Sequence, residues 1–336
     1  MSVVLAEVKR GAVVESRHYG SVAVVNGKGE LVASAGDVDF VTYIRSAAKP
    51  MQALNMLFSG AMEHYGFSEK ELAIMCSSHY GEDMHREVIE GILEKIGLDH
   101  TNLLCGAPMS IKADYRDRQL SEHLPITELN SDCSGKHSGF LSVCRHKGYP
   151  IENYTDPAHP MQQEVLAIMA EMCGMAKEDI AIGVDGCGVP VHGLPIKNMA
   201  MGYARLTSSD QLAEPYRSAC KRIVAAMNAY PEMIAGEGGF CTEFMRSTHG
   251  RFCGKVGAEA VYCIGVVGKD LGIAVKIEDG GFRALYPAVM STLEQLGLLS
   301  EEERTSLAAF AEIPNKNDHG NVVGSITPCF TLQMHK

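Results

Sequence analysis

Hydrophobic positions divide the chain into three stretches of different character. Over residues 1–45 they fall in short β-branched runs, Val3-Val4-Leu5, Ala12-Val13-Val14, Val22-Ala23-Val24-Val25 and Leu31-Val32-Ala33, which predict strands. Asn26-Gly27-Lys28-Gly29 separates the last two; these residues tolerate the positive φ of a tight turn and predict a hairpin. After Arg45 the pattern turns helical. Ser46 is followed by Ala47, Ala48, Met51, Ala53, Leu54, Met56 and Leu57, so it suits an N-cap or a first turn, and Pro50 fits only if it also falls in that turn. Apolar residues at helical spacing recur over 82–96, 133–146, 161–173 and 212–229, broken by an irregular stretch at 100–132 and a short strand at 180–184. Sheet character returns at 256–267 and 271–277, separated by Gly268-Lys269-Asp270 and expected to pair as a hairpin. A helix is expected over 285–298 and an edge strand over 322–332.

Strand groups at the two chain ends cannot each bury both faces. The expected fold is therefore α/β (α+β), with one central, mainly antiparallel sheet built from both chain ends and covered by a helical middle region. The order lacks the regular alternation of a doubly wound fold. One domain over 1–336 is expected, with a sheet subregion of 1–45 plus 251–336 and a mainly helical subregion of 46–250. Hydrophobic residues make up 46% and charged residues 21%, an ordinary globular balance. Thirty basic against 41 acidic residues leave a net charge of -11. No cationic excess exists to neutralise phosphates, which argues against nucleic acid and acidic membranes as partners. Met1–Glu7 shows no basic segment leading into a long apolar run, so no signal peptide is expected, and no apolar window reaches membrane-spanning length. Eleven cysteines, an odd number, in a chain with its own core point to a reducing cytoplasm, with most thiols acting as small buried hydrophobes.

Candidate chemistry gathers in a few short strings. Ser46-Ala47-Ala48-Lys49 puts a hydroxyl and an amine three residues apart, on one face of a helix. A lysine held neutral could take the serine proton, and the helix N-terminus would offer donors to a developing oxyanion; a cap beside a solvated lysine fits the same spacing. Ser78 lies beside His79 at the end of an apolar segment, and Lys255 stands between Gly254 and Gly257 at the start of another. Ser-x-x-Lys followed by Lys-Thr-Gly is the pattern of class A β-lactamases and penicillin-binding proteins; here Lys255-Val256-Gly257 has valine in place of threonine. Cys133 precedes Lys136 by three, and Cys187 follows Asp185 in a glycine-rich loop. Thiolates bind zinc, but two separated cysteines fall short of a four-cysteine signature, and inert buried thiols fit as well. Neither glycine-rich nucleotide fingerprint is present.

Taken together, Arg45-Ser46-Ala47-Ala48-Lys49-Pro50, Ser77-Ser78-His79, Asn130-Ser131-Asp132-Cys133-Ser134-Gly135-Lys136-His137 and Asp185-Gly186-Cys187 resemble the asparaginases of the rhizobial, zinc-containing type. His159-Pro160-Met161-Gln162, the 231–238 segment and Lys276-Ile277-Glu278-Asp279-Gly280 extend the resemblance over nearly the whole chain. It implies a serine β-lactamase-like fold shared with serine-dependent glutaminases, a single catalytic domain, a cytoplasmic homodimer, and hydrolysis of L-asparagine to L-aspartate and ammonia through an acyl-enzyme. Carried over by position, Ser46 with Lys49 and Ser78 with Lys255 are the catalytic pairs. Arg45, His79, Glu82, Asp185 and Gly254 would orient substrate. Cys133, Lys136 and Cys187 would bind Zn2+, which would position substrate rather than generate the nucleophile. Two alternatives stand beside this reading: a glutaminase or other small-amide hydrolase, and a non-catalytic metal-binding structural protein.

Overall fold

The computed structural model of the protein describes residues 1–335. The chain divides into two compact units, Met1–Ala47 with Leu194–Ser208 and Glu243–Lys336, and Ala48–Gly193 with Ser209–Thr242. Among the described residues the strands run in chain order as β1 (Val3–Arg10), β2 (Val13–Val25), β3 (Leu31–Ala35), β4 (Val41–Tyr43), β5 (Ala181–Val184), β6 (Pro190–Pro195), β7 (Phe252–Gly257), β8 (Val261–Val266), β9 (Gly272–Ile277), β10 (Ile313–Lys316), β11 (Val322–Pro328) and β12 (Gln333–Met334).

The first unit is built on a nine-stranded sheet in the order β10-β11-β1-β2-β9-β8-β7, with β3 on β2 and β12 on β3. Its neighbouring strands are antiparallel throughout. Early strands sit between late ones: Ala6 pairs with Pro328 and Val22 with Val275. The sheet expected from both chain ends is therefore present. Every residue of β8 and β9 is buried, as is β2 from Gly20 to Val25; strands covered on both faces read as unbroken apolar runs. The helix Ile196–Thr207 packs on β2, β8 and β9, and the helix Phe282–Gln295 on β1, β9 and β11. The first approaches so closely that a Cβ at Gly272 would run into the Ala200 carbonyl, and one at Gly265 into Tyr203 and Thr207.

Three local features depart from the sequence expectation. The apolar run at 256–267 is two strands, parted by a turn in which Glu259 and Ala260 take φ of 60° and 54°. No glycine, asparagine or proline marks that turn. The buried Lys276 of β9 instead supports it, its Nζ donating to the carbonyls of Glu259 and Ile277. The runs at 12–14 and 22–25 belong to the single long strand β2. Finally, β11 lies between β10 and β1 and is not an edge; the edge role falls to β10, whose Pro314 suits a position beside solvent.

The second unit is mainly helical, with β5 and β6 paired as an antiparallel hairpin. At its centre the helix Ser134–Lys147 is buried without interruption from Ser134 to Cys144. Its serines stay satisfied there because Ser138 and Ser142 donate to the carbonyls of Gly135 and Gly139. The helices Leu54–Ser59, Glu69–Met75, Asp83–Lys95 and Pro160–Cys173 pack around it. Glu69–Met75 opens with a capping box between Ser68 and Glu71. The stretch expected to be irregular contains the helix Ala113–Ser121, which buries only Tyr115 and Gln119, so it has no apolar stripe to read. No described helix is long and apolar enough to cross a membrane.

Candidate active site

In the first unit, Ser46 lies in a 3-10 turn, Arg45–Ala48, between β4 and the short helix Lys49–Gln52. Pro50 does fall in the first turn of that helix. The serine is half-buried. Arg45 before it takes φ of 51°, a left-handed conformation costing about 1–3 kcal/mol in a residue with a side chain. The turn is held from several sides: Ala47 N–H donates to Ile44 O at 3.2 Å, and Tyr203 OH donates to Ala47 O at 2.7 Å. Gly257 closes against it. A Cβ at that residue would lie 2.6 Å from Ile44 O and 3.3 Å from Ala47 N. Lys255, two residues earlier on β7, is fully buried, with Nζ donating to the Val256 carbonyl at 2.9 Å. The fold thus brings the Ser46 turn and the end of β7 together. Gly254 on the same strand abuts Tyr262 and Phe244, a packing role.

In the second unit, Lys49 is 1% exposed, and its Nζ donates to Ser78 Oγ at 2.9 Å, to Asp132 O at 3.2 Å and to Asp132 Oδ2 at 3.4 Å. Burial pulls the proton affinity of Lys49 down, but the negative charge of Cys133 and Asp132 outweighs it and raises the amine above its ordinary range. Lys49 is therefore an ammonium at neutral pH. Ser78 follows the helix Glu69–Met75, and its N–H donates to Ile234 O at 2.9 Å. Sequence reasoning did not single out Asp132 as a site residue, although it lies inside the 130–137 string.

The residues expected to hold metal meet in the same unit. Lys136 Nζ is 3.1 Å from Cys187 Sγ, and Cys133 and Cys187 share a hydrogen bond. That bond holds Cys187 well below the ordinary thiol range, with further help from Lys136 and His137 against the opposing effect of burial. The same bond, together with burial, pushes Cys133 well above the ordinary range. Lys136 is raised despite its burial, chiefly by the two cysteines and then by Asp185. Asp185 Oδ1 itself accepts the Gly186 N–H at 2.8 Å. Buried His192 is pushed down to about 4 by desolvation and by the Lys136 charge. Among the described residues no group of three or more His, Cys, Asp or Glu is arranged to hold a metal ion; this cluster has two cysteines and a lysine.

The segment between Ser78 and the helix Asp83–Lys95 carries the remaining candidates. His79 accepts the Gly81 N–H at Nδ1, 3.0 Å, places Nε2 2.9 Å from Ser134 Oγ, and stacks on His85 with ring centroids 5.1 Å apart. Glu82 Oε1 pairs with Lys112 Nζ at 2.9 Å, and that ammonium also donates to Glu237 O. Lys112 also lies 5.5 Å from the centre of the Tyr80 ring, and Tyr80 is pushed up to about 12 by desolvation. Neither Tyr80 nor Lys112 bore a sequence signal, because their partners come from separate stretches of chain.

Comparison with known proteins places these features in context. No curated protein sequence matches the chain. Among solved structures, the native form of a protein called Mglu is similar at 15% identity and a TM-score of 0.38, over 84% of this chain and 65% of that one, so this chain spans just under two thirds of its length. A β-lactamase from Mycobacterium bovis is similar at 14% identity and a TM-score of 0.39, over 87% of this chain and 95% of that one. The profile of L-asparaginase II matches residues 6–328, a span that takes in the Ser46 turn, the Lys49 and cysteine clusters and the end of β7, and by that match the chain belongs to the L-asparaginase II family.

Proposed function

We propose that the protein is an amidohydrolase that converts L-asparagine to L-aspartate and ammonia through a serine-linked acyl-enzyme. The observation that carries this reading is the buried 2.9 Å contact between Lys49 Nζ and Ser78 Oγ in a chain of this family. Ser46 Oγ attacks the side-chain amide carbon, and Lys49, three residues on, accepts its proton through the small neutral fraction of its amine. Ser78 and Lys255 relay protons and return one to the departing ammonia. Water then cleaves the ester and frees aspartate. Arg45, His79, Glu82, Asp185 and Gly254 are assigned to substrate orientation, directly or by fixing the backbone around the reacting groups. A homodimer, a cytoplasmic setting and a preference for asparagine over glutamine belong to the same reading.

The cysteine cluster fits zinc by the chemistry of its donors: two sulfurs and a lysine nitrogen converge, and zinc takes both sulfur and nitrogen ligands once they shed their protons. Cys133, Lys136 and Cys187 would hold the ion. When bound, it would supply a Lewis-acidic point for a substrate carboxylate or carbonyl.

Ammonia release from asparagine and from glutamine, measured for the parent and for Ser46→Ala with folding followed by circular dichroism, tests the assignment. Turnover of asparagine should fall on the order of 10³-fold or more without unfolding. A variant near parent activity would refute Ser46 as nucleophile, and faster glutamine turnover by the parent would move the substrate to the longer amide. Elemental analysis should find one zinc per chain, lost in Cys187→Ser; unchanged zinc in that variant removes Cys187 from the ligand set.

A further inference from the structure

Lys276 is a buried lysine that the acyl transfer does not use. It sits near the end of β9, every residue of which is buried, and is itself 3% exposed. Lysines are rarely buried so completely unless the amine is bonded, and strands covered on both faces favour apolar residues. In register, Lys276 lies opposite Val261 of β8, the first residue after the β7–β8 turn, so its side chain reaches that turn from the neighbouring strand. Its Nζ donates to Ile277 O at 2.6 Å and to Glu259 O. Glu259 O belongs to the peptide group that joins Glu259 to Ala260, the two residues with φ of 60° and 54°. Left-handed backbone is unfavourable for both, since each carries a Cβ. A bond to that oxygen fixes the peptide plane between them. The next carbonyl, Ala260 O, accepts the Ile277 N–H at 3.0 Å. The end of β9 thus grips both peptide groups of the turn.

What precedes the turn connects it to the chemistry. Gly257 lies two residues before Glu259, and a Cβ there would stand 2.6 Å from Ile44 O, 3.3 Å from Ala47 N and 3.4 Å from Arg45 Cβ. We propose that Lys276 is a positioning residue for Ser46: by pinning the peptide between Glu259 and Ala260 it fixes where β7 ends, and Gly257 at that end seats the turn that carries the serine. The inference rests on Ser46 as nucleophile for its catalytic readout, and on backbone geometry alone for its second one.

Lys276→Met keeps most of the stem and removes both hydrogen bonds. Its kcat for asparagine should fall by about tenfold or more, with KM little changed. Adding Glu259→Gly, at an exposed residue, lets the turn keep its positive φ without support and should return most of the lost kcat. A lysine that merely stabilises the core gives no such rescue. Hydrogen exchange at the Ile277 amide, which bonds Ala260 O, should accelerate about tenfold in Lys276→Met and slow again in the double variant. Should Lys276→Met fail to fold, Lys276→Gln with and without Glu259→Gly is read in the same way. Parent kcat together with parent exchange in the lysine variant overturns the proposal, as does a loss of kcat that Glu259→Gly leaves unrestored. A parent that releases no ammonia from asparagine sinks the catalytic reading alone, and the exchange pattern then decides this one.

Discussion

At the scale of single residues, Lys49 has conflicting demands placed on it. A general base for Ser46 must be neutral, yet Asp132 and Cys133 favour its charged form. Below its pKa the neutral fraction grows about tenfold per pH unit, so kcat/KM should rise with pH through the neutral range. Removing the Asp132 charge lowers the affinity of Lys49 for its proton and enlarges the neutral fraction at any given pH. In Asp132→Asn the log rate against pH should therefore be displaced toward lower pH, parallel to the parent. Displacement to higher pH would mean that Lys49 does not accept the proton. The sequence exposed the ends of this arrangement but not its middle. Ser46, Lys49, Ser78, Cys133, Lys136 and Cys187 all lie in recognisable strings. The contacts of Lys49 with Ser78 and with Asp132 span 29 and 83 residues, too far for any local spacing to announce them.

At the scale of elements, the turn bearing Ser46 and the strand β7 determine each other's position through Gly257. Its missing side chain leaves Ile44 O and Ala47 N where they are. Gly257→Ala should push strand and turn apart by a few tenths of an ångström or more. Because a displacement near 1 Å in a reacting group costs about a hundredfold in rate, asparagine turnover should fall far more than the denaturation midpoint does. Equal turnover in variant and parent would detach β7 from the Ser46 turn. Periodicity served well where elements had to be apolar on a fixed face, as in Asp83–Lys95 and Pro160–Cys173. It failed at the β7–β8 turn, where residues that normally avoid positive φ accept it because Lys276 binds the Glu259 carbonyl from a neighbouring strand. A tertiary contact there does the work that glycine does elsewhere.

For the molecule as a whole, the chain passes between its two units four times, at 47/48, 193/194, 208/209 and 242/243. The sheet was legible because both chain ends are rich in β-branched runs. The place of Ile196–Thr207 on that sheet was not, since its amphipathic pattern says that it packs and not against what. Residues 48–193 alone lack the helix Tyr216–Ala229, which packs on Leu54–Ser59 and Glu69–Met75. That fragment should show no cooperative melting by circular dichroism; a sharp transition would make it an autonomous folding unit. The interleaving of early and late strands also sets a timetable for biosynthesis. Gly20–Val25 must await β9 and β1 must await β11, and at 5–20 residues per second the ribosome needs roughly 12–50 s to deliver the first of these. Throughout that interval the nascent hairpin exposes adhesive apolar edges to the crowded cell, which makes this chain a natural client for holding chaperones.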